Sequence, residues 1–190
     1  MNPQPTNGNW GDEMRVLVLA DGLTSLPSDL DVGSSVAVAR WVGPRLAAIL
    51  KVERASTFSI GLVAETFERV DGHWKLGTWS GGEKWFEPPL QRPTSIGDRD
   101  MRVLGMWGST LCRLPYDFDA WLRCIYGIAG SAARSLEVTD RHGTTTAELE
   151  SPIGAFVVVA DLIGEDTEPG MRILDDHGVA LTFSGFGHIP

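Results

Sequence analysis

The sequence predicts an all-β protein: an antiparallel β-meander, then an immunoglobulin-like β-sandwich, with one short helix near the N-terminus. Three observations carry this. Thr57–Trp79 (TFSIGLVAETFERVDGHWKLGTW) reads as a β-hairpin closed by the two-residue turn Asp71-Gly72. Short runs rich in Val, Ile, Leu, Phe and Trp recur with turn signals roughly every ten residues. In the last third, two strand-like pairs are each joined by Asp-x-His-Gly.

Residues 1–11, rich in Pro, Asn and Gly, read as an arm. In DEMRVLVLA (12–20) the leading acids and the later Gly22 favour a short helix, while Val-Leu-Val-Leu suits a strand. Ser34–Val42 alternates and is broken by Gly43-Pro44. Arg45–Glu53 follows and leads into the hairpin, where Val70 faces His73, Arg69 faces Trp74, Glu68 faces Lys75 and Phe67 faces Leu76. That register lays Arg69 over the Trp74 ring and sets Glu68 opposite Lys75 as an ion pair. Phe58, Ile60 and Leu62 have the opposite parity from Val63 and Phe67, so either both faces are buried there or a bulge near Gly61 switches sides. Connections this short permit only antiparallel neighbours.

The expected organisation is a meander over 12–85, a Pro/Gly-rich linker over 86–100 and a sandwich region over 101–190, able to pack as one unit. Met101–Trp107 and Trp121–Tyr126 read as strands on either side of a loop, LPYDFDA. Leu136–Thr139 and Thr144–Leu149 flank Asp140-Arg141-His142-Gly143, and Met171–Leu174 and Val179–Phe183 flank Asp175-Asp176-His177-Gly178. In both, Asp caps the turn and Gly takes the left-handed position that closes a hairpin. Ala155–Ala160 (AFVVVA) is continuously apolar, as a central strand is.

The order SSVAVARWVGPRLAAILKV, ETFERVDGHWKLGTWSGG, a Pro-rich link and IYGIAGSAARSLEVTDRHG resembles uncharacterised proteins of high-GC Gram-positive bacteria. The resemblance covers most of the chain past Ser34. It rests on turns and Trp positions, so it implies the meander-then-sandwich fold and assigns no catalytic residue.

The net charge is −9, and the acid is uneven: residues 1–95 hold 11 acids and 9 bases, residues 96–190 hold 14 and 7. With no basic stripe, nucleic acid and anionic membrane are poor partners. No basic segment followed by an apolar run opens the chain, and no run is long enough to span a bilayer, so a cytoplasmic protein is expected. Cys112 and Cys124 match no zinc or redox spacing and are expected as reduced thiols.

Function is less legible than fold. Trp79 and Trp85, at the Gly-rich exit of the hairpin, are candidates for an interface, with Trp74 read as core. Asp117, Asp119 and Trp121 are candidates for carbohydrate or small-molecule binding, or for a hydrolase carboxylate pair, if the segment is extended. His142, His177, Asp140 and Asp175 would form a metal site only if the two Asp-x-His-Gly turns met, and turn chemistry alone explains most of those residues. Gly-x-Ser-x-Gly and phosphate-loop patterns are absent. The expectation is therefore a protein without cofactor that acts by protein–protein interaction or self-association through an acidic or Trp-bearing face.

Overall fold

The computed structural model describes residues 12–23, 25–27, 30–56, 59–84, 90–110, 120–163 and 168–186. One helix, α1 (Asp12–Asp21), precedes a four-stranded antiparallel meander: β1 (Ser35–Val42), β2 (Leu46–Ser56), β3 (Ser59–Val70) and β4 (His73–Lys84), in the order β1-β2-β3-β4. The helical reading of the N-terminal run holds. Gly22 ends it at φ +98°, its N–H donating to the Val18 carbonyl at 3.2 Å.

The hairpin register is the expected one at all four positions from Val70↔His73 to Phe67↔Leu76. Asp71 (φ 51°) and Gly72 (φ 82°) supply the two left-handed residues that match the twist of the flanking strands. The guanidinium of Arg69 lies 5.7 Å from the centre of the Trp74 ring. Of the two alternatives offered for the parity change, burial on both faces is the one realised, with Leu62 and Ala64 on one face of β3 and Glu65 and Phe67 on the other. β3 pairs with β2 in unbroken register from Ile60 to Glu68, and the shift between Gly61 and Val63 puts its extra residue on β4, so the sides do not switch.

Two further sheets follow. β5 (Asp100–Thr110), β6 (Ala120–Ala129), β9 (Ala155–Ile163) and β11 (Thr182–Phe186) form a sheet in the order β11-β5-β6-β9. β7 (Ser135–Asp140), β8 (Gly143–Glu148) and β10 (Gly170–Leu174) form a smaller one in the order β10-β7-β8. The first Asp-x-His-Gly turn closes the β7–β8 hairpin as expected. The second does not close a full hairpin. After Asp175–Gly178 the chain makes a single bridge, Leu174↔Ala180, and then leaves β10 to run parallel to the open edge of β5. Thr182 N–H donates to the Arg99 carbonyl at 2.8 Å, and the Ser184 hydroxyl to the Met101 carbonyl at 2.8 Å. An edge strand's unpaired amides and carbonyls accept whichever segment reaches them, so a turn alone does not decide the partner.

The first sheet is covered on both faces. Its outer face (Ala37, Ala47, Ile49 and Phe67) packs against Val18 and Leu19 of α1. Its inner face (Val36, Val38, Ala48, Leu50, Val52, Leu62 and Ala64) belongs to one apolar cluster with β5, β6, β7, β9 and β10. β9 lies against β1 and β2, and its residues from Ala155 to Leu162 are all buried, which explains the unbroken apolar run. Leu90 and Ile96, from the Pro-rich stretch, join the same cluster. Gly105 belongs to this packing: a Cβ there would stand 2.3 Å from the Tyr126 ring and hydroxyl, so only glycine admits that buried aromatic.

Candidate functional site

The face built by α1 and the β3–β4 hairpin exposes apolar side chains around a concavity. A groove of about 270 Å³ runs between them, with Leu19 and Phe67 in its floor and Trp74 half-buried in its wall. Val16 (49 % exposed) and Leu76 (43 % exposed) stand at its edges, beside Leu17 (50 %) on the helix. The hairpin's parity puts Phe67, Arg69, Trp74 and Leu76 on the side facing α1. The charged residues lining the groove, Arg15 and Lys75, are both basic.

Beneath the groove a buried ion network fixes α1 to the sheet. Arg15 reaches Glu65 with two nitrogens, each at 2.9 Å, and Lys51 Nζ lies 2.8 Å from Glu65 and 3.0 Å from Glu53. Lys51 and Glu65 are 4 % and 3 % exposed. Burial would raise the Glu65 pKa, but hydrogen bonds from Arg15 and Lys51 outweigh it and hold the carboxyl below its ordinary value.

The sequence-derived candidates divide. Trp74, read as core, lines the groove. Trp79 pairs with Glu65 along the backbone of β4. Trp85, Asp117, Asp119 and Cys112 lie outside the described residues. Trp121 pairs with Thr110 and Leu162, and its indole covers Gly108 so closely that a Cβ there would stand 2.4 Å from Nε1. Cys124 is a free, fully buried thiol whose pKa burial pushes well above the ordinary range.

The two Asp-x-His-Gly turns do not meet. In the β7/β10 ladder Thr139 pairs with Gly170 and Ser135 with Leu174, so Asp140 and His142 sit at one end and Asp175 and His177 at the other. Four residue steps separate those pairs, roughly 13 Å. His142, His177, Asp140 and Asp175 therefore cannot share an ion, and no group of three metal-ligating side chains occurs among the described residues.

Each turn has its own local chemistry. Asp175 Oδ1 accepts the N–H of His177 (2.9 Å) and of Val179 (2.8 Å), and Oδ2 accepts Arg99 Nη1 at 2.5 Å. At the other turn, Asp140 accepts the N–H of His142 (2.8 Å) and of Asp161 (3.2 Å). The fully buried Asp161 carboxylate meets Arg141 Nε at 3.0 Å and His142 Nε2 at 3.0 Å. Neither Asp161 nor Arg141 stands out in the sequence, because the contact spans two sheets.

Comparison with protein-family models, with characterised proteins and with solved structures finds no match to this chain.

Proposed function

We propose that this protein is a non-catalytic interaction protein that engages a protein partner through the α1/β3–β4 face. The observation that carries the reading is the groove itself: two aliphatic side chains, Val16 and Leu76, held more than two-fifths exposed over a floor of Leu19 and Phe67 and a wall of Trp74. Isolated exposed apolar residues need no explanation, but several framing one concavity mark an interaction site. The basic lining of Arg15 and Lys75, in a chain of net charge −9, fits a partner segment that inserts an apolar side chain between acidic neighbours.

In architecture, the reading takes the C-terminal half as an immunoglobulin-like sandwich. Its support is the pair of sheets, β11-β5-β6-β9 and β10-β7-β8, whose apolar residues share one cluster; the parallel β11–β5 pair departs from that pattern.

The test is a photo-crosslinking amino acid at Lys75, used in the native host and repeated with Val16→Asp plus Leu76→Asp. The expected result is a discrete adduct, lost in the double variant, whose crosslink maps to an apolar residue flanked by acids. An adduct of equal yield in the double variant, or none in the wild type, defeats the proposal.

A further inference from the structure

We infer that the partner seated in the α1/β3–β4 groove is a second copy of this chain, which inserts Ile163 from the end of its β9. This rests on the interaction reading of the groove and names the groove's occupant.

The groove calls for an apolar side chain carried on an acidic surface. Its floor is Leu19 and Phe67, its wall Trp74 and its edges Val16 and Leu76. Arg15 is committed to Glu65 beneath it. The basic charge left to face a partner is Lys75 in the lining and Arg69 over the Trp74 ring. Neither of these two forms an ion pair among the described residues.

The chain carries a matching element of its own. Ile163 is the last residue of β9 and is 63 % exposed, more than any other large apolar side chain among the described residues. One exposed aliphatic residue needs no explanation by itself. Its surroundings distinguish this one. The run from Gly143 to Gly170 holds six acids and no base, and the Glu168 side chain is 64 % exposed, with Arg123 Nη2 at 3.8 Å. Ile163 also stands on a rigid support, since β9 is buried from Ala155 to Leu162 and pairs with β6 through Ile163↔Ala120. Inserting it therefore orders little that is not already ordered.

A molecule cannot fill its own groove in this way. β9 packs on the inner face of β1 and β2, while α1 packs on the outer face, so the first sheet stands between Ile163 and the groove. Two copies at net charge −9 repel each other overall. Contact is favoured only where unlike patches meet, and the basic groove against the acidic end of β9 sets that orientation. Such a contact closes when each copy's Ile163 enters the other's groove, and otherwise extends copy by copy.

The experiment is analytical ultracentrifugation of the full chain up to millimolar concentration, as wild type, Ile163→Asp, Leu76→Asp and an equal mixture of the two variants. Far-ultraviolet circular dichroism confirms that each variant is folded. The wild type self-associates reversibly. Each variant alone weakens association by about ten-fold or more, because a carboxylate replaces an aliphatic side chain buried in the contact. The mixture associates again, since one variant keeps an intact groove and the other an intact Ile163. A photo-crosslinker at Lys75 in the purified wild type marks the peptide that holds Ile163. The inference is overturned if the wild type is monomeric throughout, if either folded variant associates as the wild type does, or if the mixture stays monomeric. A monomeric wild type whose Lys75 crosslinker captures a different protein in the native host overturns the second copy and leaves the interaction reading of the groove standing. No adduct in either setting defeats both.

Discussion

Asp175 shows what one carboxylate does when a turn, a side chain and burial converge on it. The hydrogen bond from Arg99 and those from the N–H groups of Val179 and His177 outweigh desolvation and hold its pKa at about 2, against an ordinary 3.8. A carboxyl depressed in the folded state contributes stability above its unfolded pKa and loses it as pH falls from 3.8 towards 2. Asp175→Asn keeps an acceptor for the turn but loses the charge facing Arg99. The variant is expected to be less stable than wild type at neutral pH, with the gap closing across that acid window. Urea midpoints over a pH series check this; a gap that stays constant into strong acid refutes it. Cys124 gives a second residue-scale expectation. Being fully buried, with a raised pKa, it should resist alkylation in the native chain and react only on unfolding. The capping role of Asp140 and Asp175 was legible in the sequence because it acts over two to four residues. The partners Arg99 and Asp161 were not, since they arrive from other sheets.

At the scale of elements, local signals and tertiary ones part company. The β3–β4 hairpin was readable to the residue because Asp71-Gly72 fixes the register and the alternation fixes the faces. The fate of β11 was not readable. Its turn resembles the one that closes β7–β8, but the open edge of β5, distant in sequence, captures the strand. Helix α1 lies between these cases. Its existence followed from Gly22 and the leading acids, but its seat depends on Glu65, which the β2–β3 register sets beside Lys51. Removing one member of a buried ion network strands the others, so Glu65→Gln should cost about 3–5 kcal/mol. Replacing Arg15, Lys51 and Glu65 together, as Arg15→Met, Lys51→Met and Glu65→Leu, should cost clearly less, because no buried charge is then left facing an apolar wall. Chemical denaturation of the two variants distinguishes these outcomes. An equal loss in both would mean that the network contributes packing rather than charge pairing.

Across the whole molecule, the decisive feature is that the meander and the later sheets share one core. Leu50 on the inner face of β2 and Leu162 on β9 are 0 % and 2 % exposed and belong to the same cluster, as does Ile96 from the Pro-rich stretch. The sequence shows that stretch as a linker by composition, and composition is blind to whether a Pro-rich segment packs. A core continuous across all three sheets leaves neither half able to lose its partner without exposing apolar surface. Unfolding is therefore expected as one transition, with calorimetry and near-ultraviolet circular dichroism coinciding. Leu50→Ala and Leu162→Ala each remove a buried side chain at a cost of about 2–5 kcal/mol, which for a chain of this size lowers Tm by roughly 4–20 °C. Because the two sites sit in different sheets, the sharper test is that both substitutions move the same single transition. If Leu50→Ala instead splits the melt, shifting an early phase while a later one stays at the wild-type temperature, the meander and the later sheets are separate folding units, and the groove on α1 and the hairpin belongs to the first of them alone.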